Sequence, residues 1–145
     1  MNDDEPGVVV VRGAADGFVQ EIVAGPYHLQ SDEPSSVGGT ETGATPYDLL
    51  LAAVGSCTSM TMGMYARRRK WPLERVTVRL RHSRVHAEDC AVCETQNASL
   101  TVIDREIALE GSLDEHQRAR LLAIANRCPV HLTLSSRIEI RTTLQ

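Results

Sequence analysis

The order of elements in this sequence predicts an α+β fold, with helices packed on mainly antiparallel sheet. Two kinds of segment predict it. β-Branched stretches with period-two alternation mark strands, as in ERVTVRLRHSRVH at 74–86. Two longer stretches, 46–70 and 113–128, open with helix-start signals and close at a proline. Their arrangement is β-β-α-β-β-α-β, and neither a repeat nor a low-complexity tract interrupts it.

Taken in order, GVVVVR at 7–12 reads as the first strand and FVQEIVAG at 18–25 as the second, with Asp16-Gly17 as a turn signal between them. SDEPSSVGGTETGATP at 31–46 is a glycine-rich loop; loops of this length are functional or disordered in compact domains. The first helix begins at Thr45, a suitable N-cap, with Pro46 at the first helical position and Asp48 completing a variant capping box. It is expected to run to about Lys70, where Trp71-Pro72 ends it. The cluster Arg67, Arg68, Arg69, Lys70 then complements the C-terminal end of the helix dipole.

The strand at 74–86 alternates Val76, Val78 and Leu80 against Thr77, Arg79 and Arg81. SLTVIDREIALEG at 99–111 follows as another strand, with Ile103, Arg105, Ile107 and Leu109 in one register. Ser112 and Glu115 form a capping-box pattern for the second helix, whose core stripe is Leu121, Leu122, Ile124 and Ala125. Pro129 closes that helix, and RIEIRTTL at 137–144 reads as a terminal strand.

The chain has 145 residues, 42% of them hydrophobic and 23% charged, so one domain spanning 1–145 with a substantial core is expected. A formal net charge of −4 gives no footprint for nucleic acid. MNDDEPG is acidic where a secretory leader is basic, and the uncharged run 49–66 is interrupted by Gly55, Ser56, Thr58, Ser59, Thr61 and Gly63. A cytoplasmic protein without a membrane span is expected. Its four cysteines then point to catalysis, redox cycling or metal binding ahead of structural disulfides.

Cys57 lies midway along the first helix and Cys128 at the end of the second, where carbonyl ends disfavour a thiolate. Taken singly, each is either a small buried hydrophobe or a reagent. Taken together they are a candidate redox pair, in which one sulfur attacks a peroxide and the other condenses with the resulting sulfenic acid. Burial alone raises a thiol pKa, so this chemistry calls for a nearby cation to bring Cys57 below the free value of about 8.5.

A second constellation, RHSRVHAEDCAVCE at 81–94, offers His82, His86, Cys90 and Cys93 as H-x3-H-x3-C-x2-C. It is compatible with tetrahedral zinc, with a redox CxxC, or with an inert surface strand followed by a loop. Asp32 and Glu33, near His28, are candidates for a pocket mouth or simple turn residues; His131 either orients Cys128 or only follows the helix. Met60, Met62 and Met64 read as core or interface packing.

ATPYDLLLAAVGSCTSMTMGMYA at 44–66, together with LLAIANRCPVH at 121–131, resembles the OsmC/Ohr family of osmotically induced and organic-hydroperoxide-resistance proteins. The resemblance runs from DEPSSVGG to the last expected strand. It implies an intertwined homodimer in which mainly antiparallel sheets pack on two long central helices, with active sites at the dimer interface. It further implies reduction of organic hydroperoxides without metal, flavin or haem, re-reduced by an external dithiol or a thiol reductant protein. Cys57 matches the peroxidatic cysteine and Cys128 the resolving one. Where family peroxidases carry a glutamate after the helix-opening proline, this chain has Tyr47 followed by Asp48, both candidate pocket residues. The family's activating arginine comes from its N-terminal part; Arg12, the sole arginine before Arg67, is the candidate by elimination. The alternative is a binding module of the same fold that holds an apolar ligand without turnover, with a structural zinc as a further option.

Overall fold

The computed structural model describes residues 2–3, 5–86 and 99–144, which form five strands and three α-helices in two compact units, Met1–Leu50 and Leu51–Gln145. It is an α+β architecture with antiparallel sheets, as expected.

The first unit is a three-stranded antiparallel sheet of β1 (Val9–Gly13), β2 (Gln20–Ala24) and β3 (Tyr27–Ser31), in the order β1-β2-β3. The sequence reading missed β3. Its signal was present, since Gly25 (φ 58°) and Pro26 make a tight turn after β2, but YHLQS carries little apolar alternation.

The loop after β3 is built around one carboxylate. Asp32 is buried and accepts hydrogen bonds from the Thr40 amide (2.9 Å) and hydroxyl (2.6 Å), the Thr42 amide and hydroxyl (both 3.1 Å), and the Glu33 amide (2.8 Å). A Cβ on Gly39 would collide with the Glu33 backbone, and one on Gly43 with the Gln30 carbonyl, so the chain closes on itself only with glycine at both places. The loop delivers Thr45 to the helix start. There the expected reciprocal box forms: the Asp48 amide donates to Thr45 Oγ1 (3.1 Å) and the Thr45 amide to Asp48 Oδ2 (3.0 Å).

Helix α1 (Pro46–Arg69) buries the stripe Val54, Gly55, Thr58, Met62 and Ala66, residues about one turn apart on one face. A Cβ on Gly55 would come within 2.9 Å of Leu80 Cδ1, so glycine permits the close approach of β4. Lys70, at φ 55°, turns the chain into the left-handed region, and the Trp71 amide donates back to the Ala66 carbonyl (3.0 Å). The other face of α1 is open: Met60 is 70% exposed and Met64 42%. Among the described residues α1 is the one helix long and apolar enough, by length and composition, to cross a membrane.

In the second unit β4 (Leu73–His86) and β5 (Ser99–Gly111) form a long antiparallel pair. The register places Ile103, Arg105, Ile107 and Leu109 on the less exposed side of β5, with Asp104, Glu106 and Glu110 on the other. Met62, Ala66, Leu113, Leu121 and Ala125 are the core, flanked by Tyr65, Trp71, Val76 and Leu109.

Helix α2 (Glu115–Ala125) is capped two residues later than the Ser112/Glu115 pattern predicted. Asp114 is the N-cap and Gln117 its reciprocal partner, at 2.7 and 3.0 Å, because Leu113 turns into the core ahead of the cap. The second helix also ends earlier than expected. After Asn126 the chain breaks, and Pro129, expected only to terminate, opens a further helix, α3 (Pro129–Leu134), from its first position. The terminal strand is not formed. Residues 137–144 have no ladder partner among the described residues, and Ile138, Ile140 and Leu144 are 53%, 86% and 100% exposed.

Candidate functional site

The break between α2 and α3 makes the site. It turns Cys128 from a helix end, where the sequence reading had it, into the N-cap of α3, with its Sγ accepting the His131 amide at 3.4 Å. Helix α1 brings Cys57 alongside, close enough that each thiol bears on the ionisation of the other. Cys57 is half-buried and Cys128 has no exposed surface, so Cys57 is the sulfur an incoming molecule reaches.

The two thiols are held differently. Burial pushes Cys57 above its ordinary pKa, and its contact with Cys128 adds to the rise, which the Val130 amide and the Thr61 hydroxyl only partly offset. Burial also works against a charge on Cys128. There it is overcome by hydrogen bonds from the Cys57 thiol, the His131 amide, the Thr58 hydroxyl and the Val130 amide, so Cys128 falls below its ordinary value. The lowered Cys57 pKa that the sequence called for is not what its surroundings favour, since burial pushes that thiol up.

One cation stands behind that contact. Arg105 projects from β5 and donates from Nη1 to Thr58 Oγ1 (3.0 Å) and the Ala125 carbonyl (3.2 Å), and from Nη2 to Asn126 Oδ1 (2.7 Å). It thus ties α1 to the end of α2, next to the break before the Cys128 cap. Arg105 also lines a cleft of about 540 Å³ of mixed character, in which Val54, Ile103, Leu122 and Leu134 stand beside Asn126 and His131. The sequence held a sign of this residue. An arginine sharing a register with Ile103, Ile107 and Leu109 is a charge on a core-facing side, which calls for partners. Thr58 and Asn126 had no comparable signal.

The remaining expected site residues lie elsewhere in the chain. Arg12 pairs with Asp3 (2.7 Å) and more loosely with Glu21 (4.0 Å) at an exposed position of the first unit. Glu33 lends its amide to Asp32 and its carbonyl to the Glu41 amide, and Asp48 caps α1; Tyr47, beside it, is 40% exposed. His82 is on β4, whereas Cys90, Cys93 and the side chain of His86 lie outside the described residues.

A half-buried cysteine on α1, beside a buried one at the start of α3, defines a dithiol site in an α+β fold. The model of the OsmC-like protein family matches residues 39–143, and the chain belongs to that family. No curated protein sequence matches it. Several crystal structures share the fold. An OsmC-like protein of Mycoplasma pneumoniae superposes with a TM-score of 0.71 at 16% identity, covering 91% of this chain and 89% of that one. The organic hydroperoxide resistance protein OsmC of Legionella pneumophila gives 0.63 at 20% identity, over 88% and 87% of the chains. An organic hydroperoxide resistance protein of Elizabethkingia anophelis gives 0.65 at 16%, over 90% and 89%.

Proposed function

We propose that this protein is a thiol-dependent peroxidase that reduces organic hydroperoxides. The contact between the Cys57 and Cys128 sulfurs carries the reading, because a sulfenic acid formed at Cys57 has its resolving thiol already in place. The cleft beside Arg105 has an aliphatic side, Val54, Ile103, Leu122 and Leu134, against which the organic part of such a substrate could lie. The names of the Legionella and Elizabethkingia proteins, both concerned with organic hydroperoxides, agree with it. Arg105 takes the electrostatic role that the sequence reading gave to Arg12. The chemistry needs no metal, flavin or haem, and an external dithiol or thiol reductant protein, in a reducing cytoplasm, returns the disulfide to thiols.

The active form in this reading is a homodimer with α1 in its interface. Exposed Met60 and Met64 in the uncharged run 49–66 of α1, and the alternating segment 137–144, which has no ladder partner among the described residues, are surfaces that a second copy would cover. Sedimentation should show a dimer; a monomer at every concentration would remove that part of the proposal.

The activity is tested by following cumene hydroperoxide with a dithiol such as dithiothreitol in excess. Consumption well above that of the dithiol alone is expected. If the rates are equal while the hydroperoxide or its alcohol still binds, the protein is the binding module that Tyr47, in place of a carboxylate, also fits.

A further inference from the structure

We propose that the end of α1 carries a second binding site, in which Arg69, Arg120 and the Tyr65 hydroxyl hold a phosphate group. The site lies away from the thiol pair and does not depend on the peroxidase reading. Tyr65 follows Cys57 by two turns of α1, about 12 Å along the helix axis.

The site is built on one fixed aromatic ring. Tyr65 is half-buried against the core, one turn before α1 ends. Trp71 meets its ring edge-on with 5.5 Å between centroids, and His116 of α2 meets Trp71 in the same way at 6.4 Å. Two guanidiniums come to this ring. Arg69, one turn further along α1, stands 5.5 Å from the ring centroid, and Arg120 of α2 stands 5.7 Å from it. Arg120 also donates from Nε to the Tyr65 hydroxyl at 3.0 Å. That hydrogen bond, with the charge of both arginines, holds the phenol below its ordinary pKa.

Two like charges at one ring repel each other unless an anion stands with them. The chain supplies none. Among the described residues no carboxylate pairs with Arg69 or Arg120, nor with Arg67, Arg68 or Lys70 beside them. Elsewhere on the surface Arg12, Arg75, Arg81 and Arg141 each have an acidic partner. Donors are left over as well. The end nitrogens of Arg120 meet no acceptor among the described residues, and the Tyr65 hydroxyl, whose oxygen accepts from Arg120, still has its proton to give. The carbonyl end of α1 counts against an anion by about half a charge, but the successive cations at 67–70 outweigh it.

The donors select the anion. A carboxylate has two oxygens and is satisfied by a single guanidinium fork. Two forks and a hydroxyl suit the three oxygens of a phosphate, whose charge of nearly two matches one guanidinium on each side. Both arginines are exposed, so the phosphate is reached from solvent, whether free or carried on a larger molecule.

Trp71 is the chain's one tryptophan and touches Tyr65, so its fluorescence reports on this place. Equilibrium dialysis against radiolabelled inorganic phosphate, at fixed ionic strength, should show a single saturable site per chain. Trp71 emission should change over the same concentrations. Arg69→Gln and Arg120→Gln should each weaken binding about tenfold, and Tyr65→Phe, which keeps the ring and removes the donor, should weaken it several-fold. Arg68→Gln, in the same basic run but without contact to the ring, should stay within about twofold of the native protein. Glycerol phosphate and vesicles containing phosphatidic acid then compete with the label. Displacement by the first assigns the site to soluble monoesters, by the second to headgroups, and by neither to free phosphate; each supports the site. Absence of saturable binding overturns the proposal, as does an equal loss in Arg68→Gln, which would mean diffuse screening of a basic surface. A glutamate-rich peptide that binds where phosphate does not would also overturn it, making the patch a protein-docking surface. If Arg120→Gln does not fold, Arg69→Gln and Tyr65→Phe decide.

Discussion

Cys57→Ser is expected to abolish hydroperoxide reduction, a loss of roughly a thousand-fold or about 4 kcal/mol of transition-state stabilisation. The hydroxyl that replaces the thiol has neither its acidity nor its nucleophilicity, and no other sulfur in the described site has exposed surface. Cys128→Ser should behave differently in kind. Cys57 then lacks its resolving partner, so it stops at the sulfenic acid. Intact mass separates the cases. After one equivalent of organic hydroperoxide the native protein should lose about two daltons as the Cys57–Cys128 disulfide forms, whereas Cys128→Ser should gain about sixteen. Peptide mapping must find the link between Cys57 and Cys128 and not between Cys90 and Cys93. Cys57 remaining a free thiol in excess peroxide would make the pair a packing contact.

That such a test can be framed from so short a chain reflects where the sequence was informative. Helix α1 was legible from Thr45 to Trp71 because its signals are local: a cap, a proline at the first position, and a proline beyond the end. The β4–β5 pair was legible from its alternation. What failed was whatever depends on a tertiary partner. Pro129 carries the same letter whether it ends one helix or opens another, and only the packing of Leu121, Ile124 and Ala125, followed by the break at Asn126, selects the second. That one choice moved Cys128 from a carbonyl-rich end to an amide-rich start, where its sulfur accepts the His131 amide. RIEIRTTL has the alternation of a strand but pairs with no strand among the described residues, and alternation does not make a ladder alone. Arg105 was visible as a charge on a core-facing register, yet its three acceptors come from residues distant in sequence.

Asp32 was the other residue whose role only the fold revealed, and its replacement should have the largest effect on stability in the first unit. Five donors from Glu33, Thr40 and Thr42 converge on one buried carboxylate. Asp32→Ala leaves those amides and hydroxyls without an acceptor, and Asp32→Asn turns an amide N–H₂ towards donors. Either variant should lower the thermal midpoint by on the order of 10 °C and loosen the 32–44 loop that delivers Thr45 to the start of α1. The effect has a definite pH signature. The Thr40 hydroxyl, against a smaller penalty from burial and with help from the Thr42, Glu33 and Thr40 amides, holds the Asp32 carboxyl far below the usual carboxylate range. A folded pKa below the unfolded one means that the unfolded chain binds the proton more readily. The stabilisation is therefore fully present above the ordinary aspartate value of about 3.9 and is lost as the pH falls from there towards the folded value. The difference in thermal midpoint between the native protein and Asp32→Asn should be constant from neutral pH to about 5 and narrow steadily in stronger acid. A difference that stays constant through acid, or an Asp32→Asn variant as stable as the native chain at neutral pH, would mean that the loop is held by its glycines and backbone contacts and not by this charge.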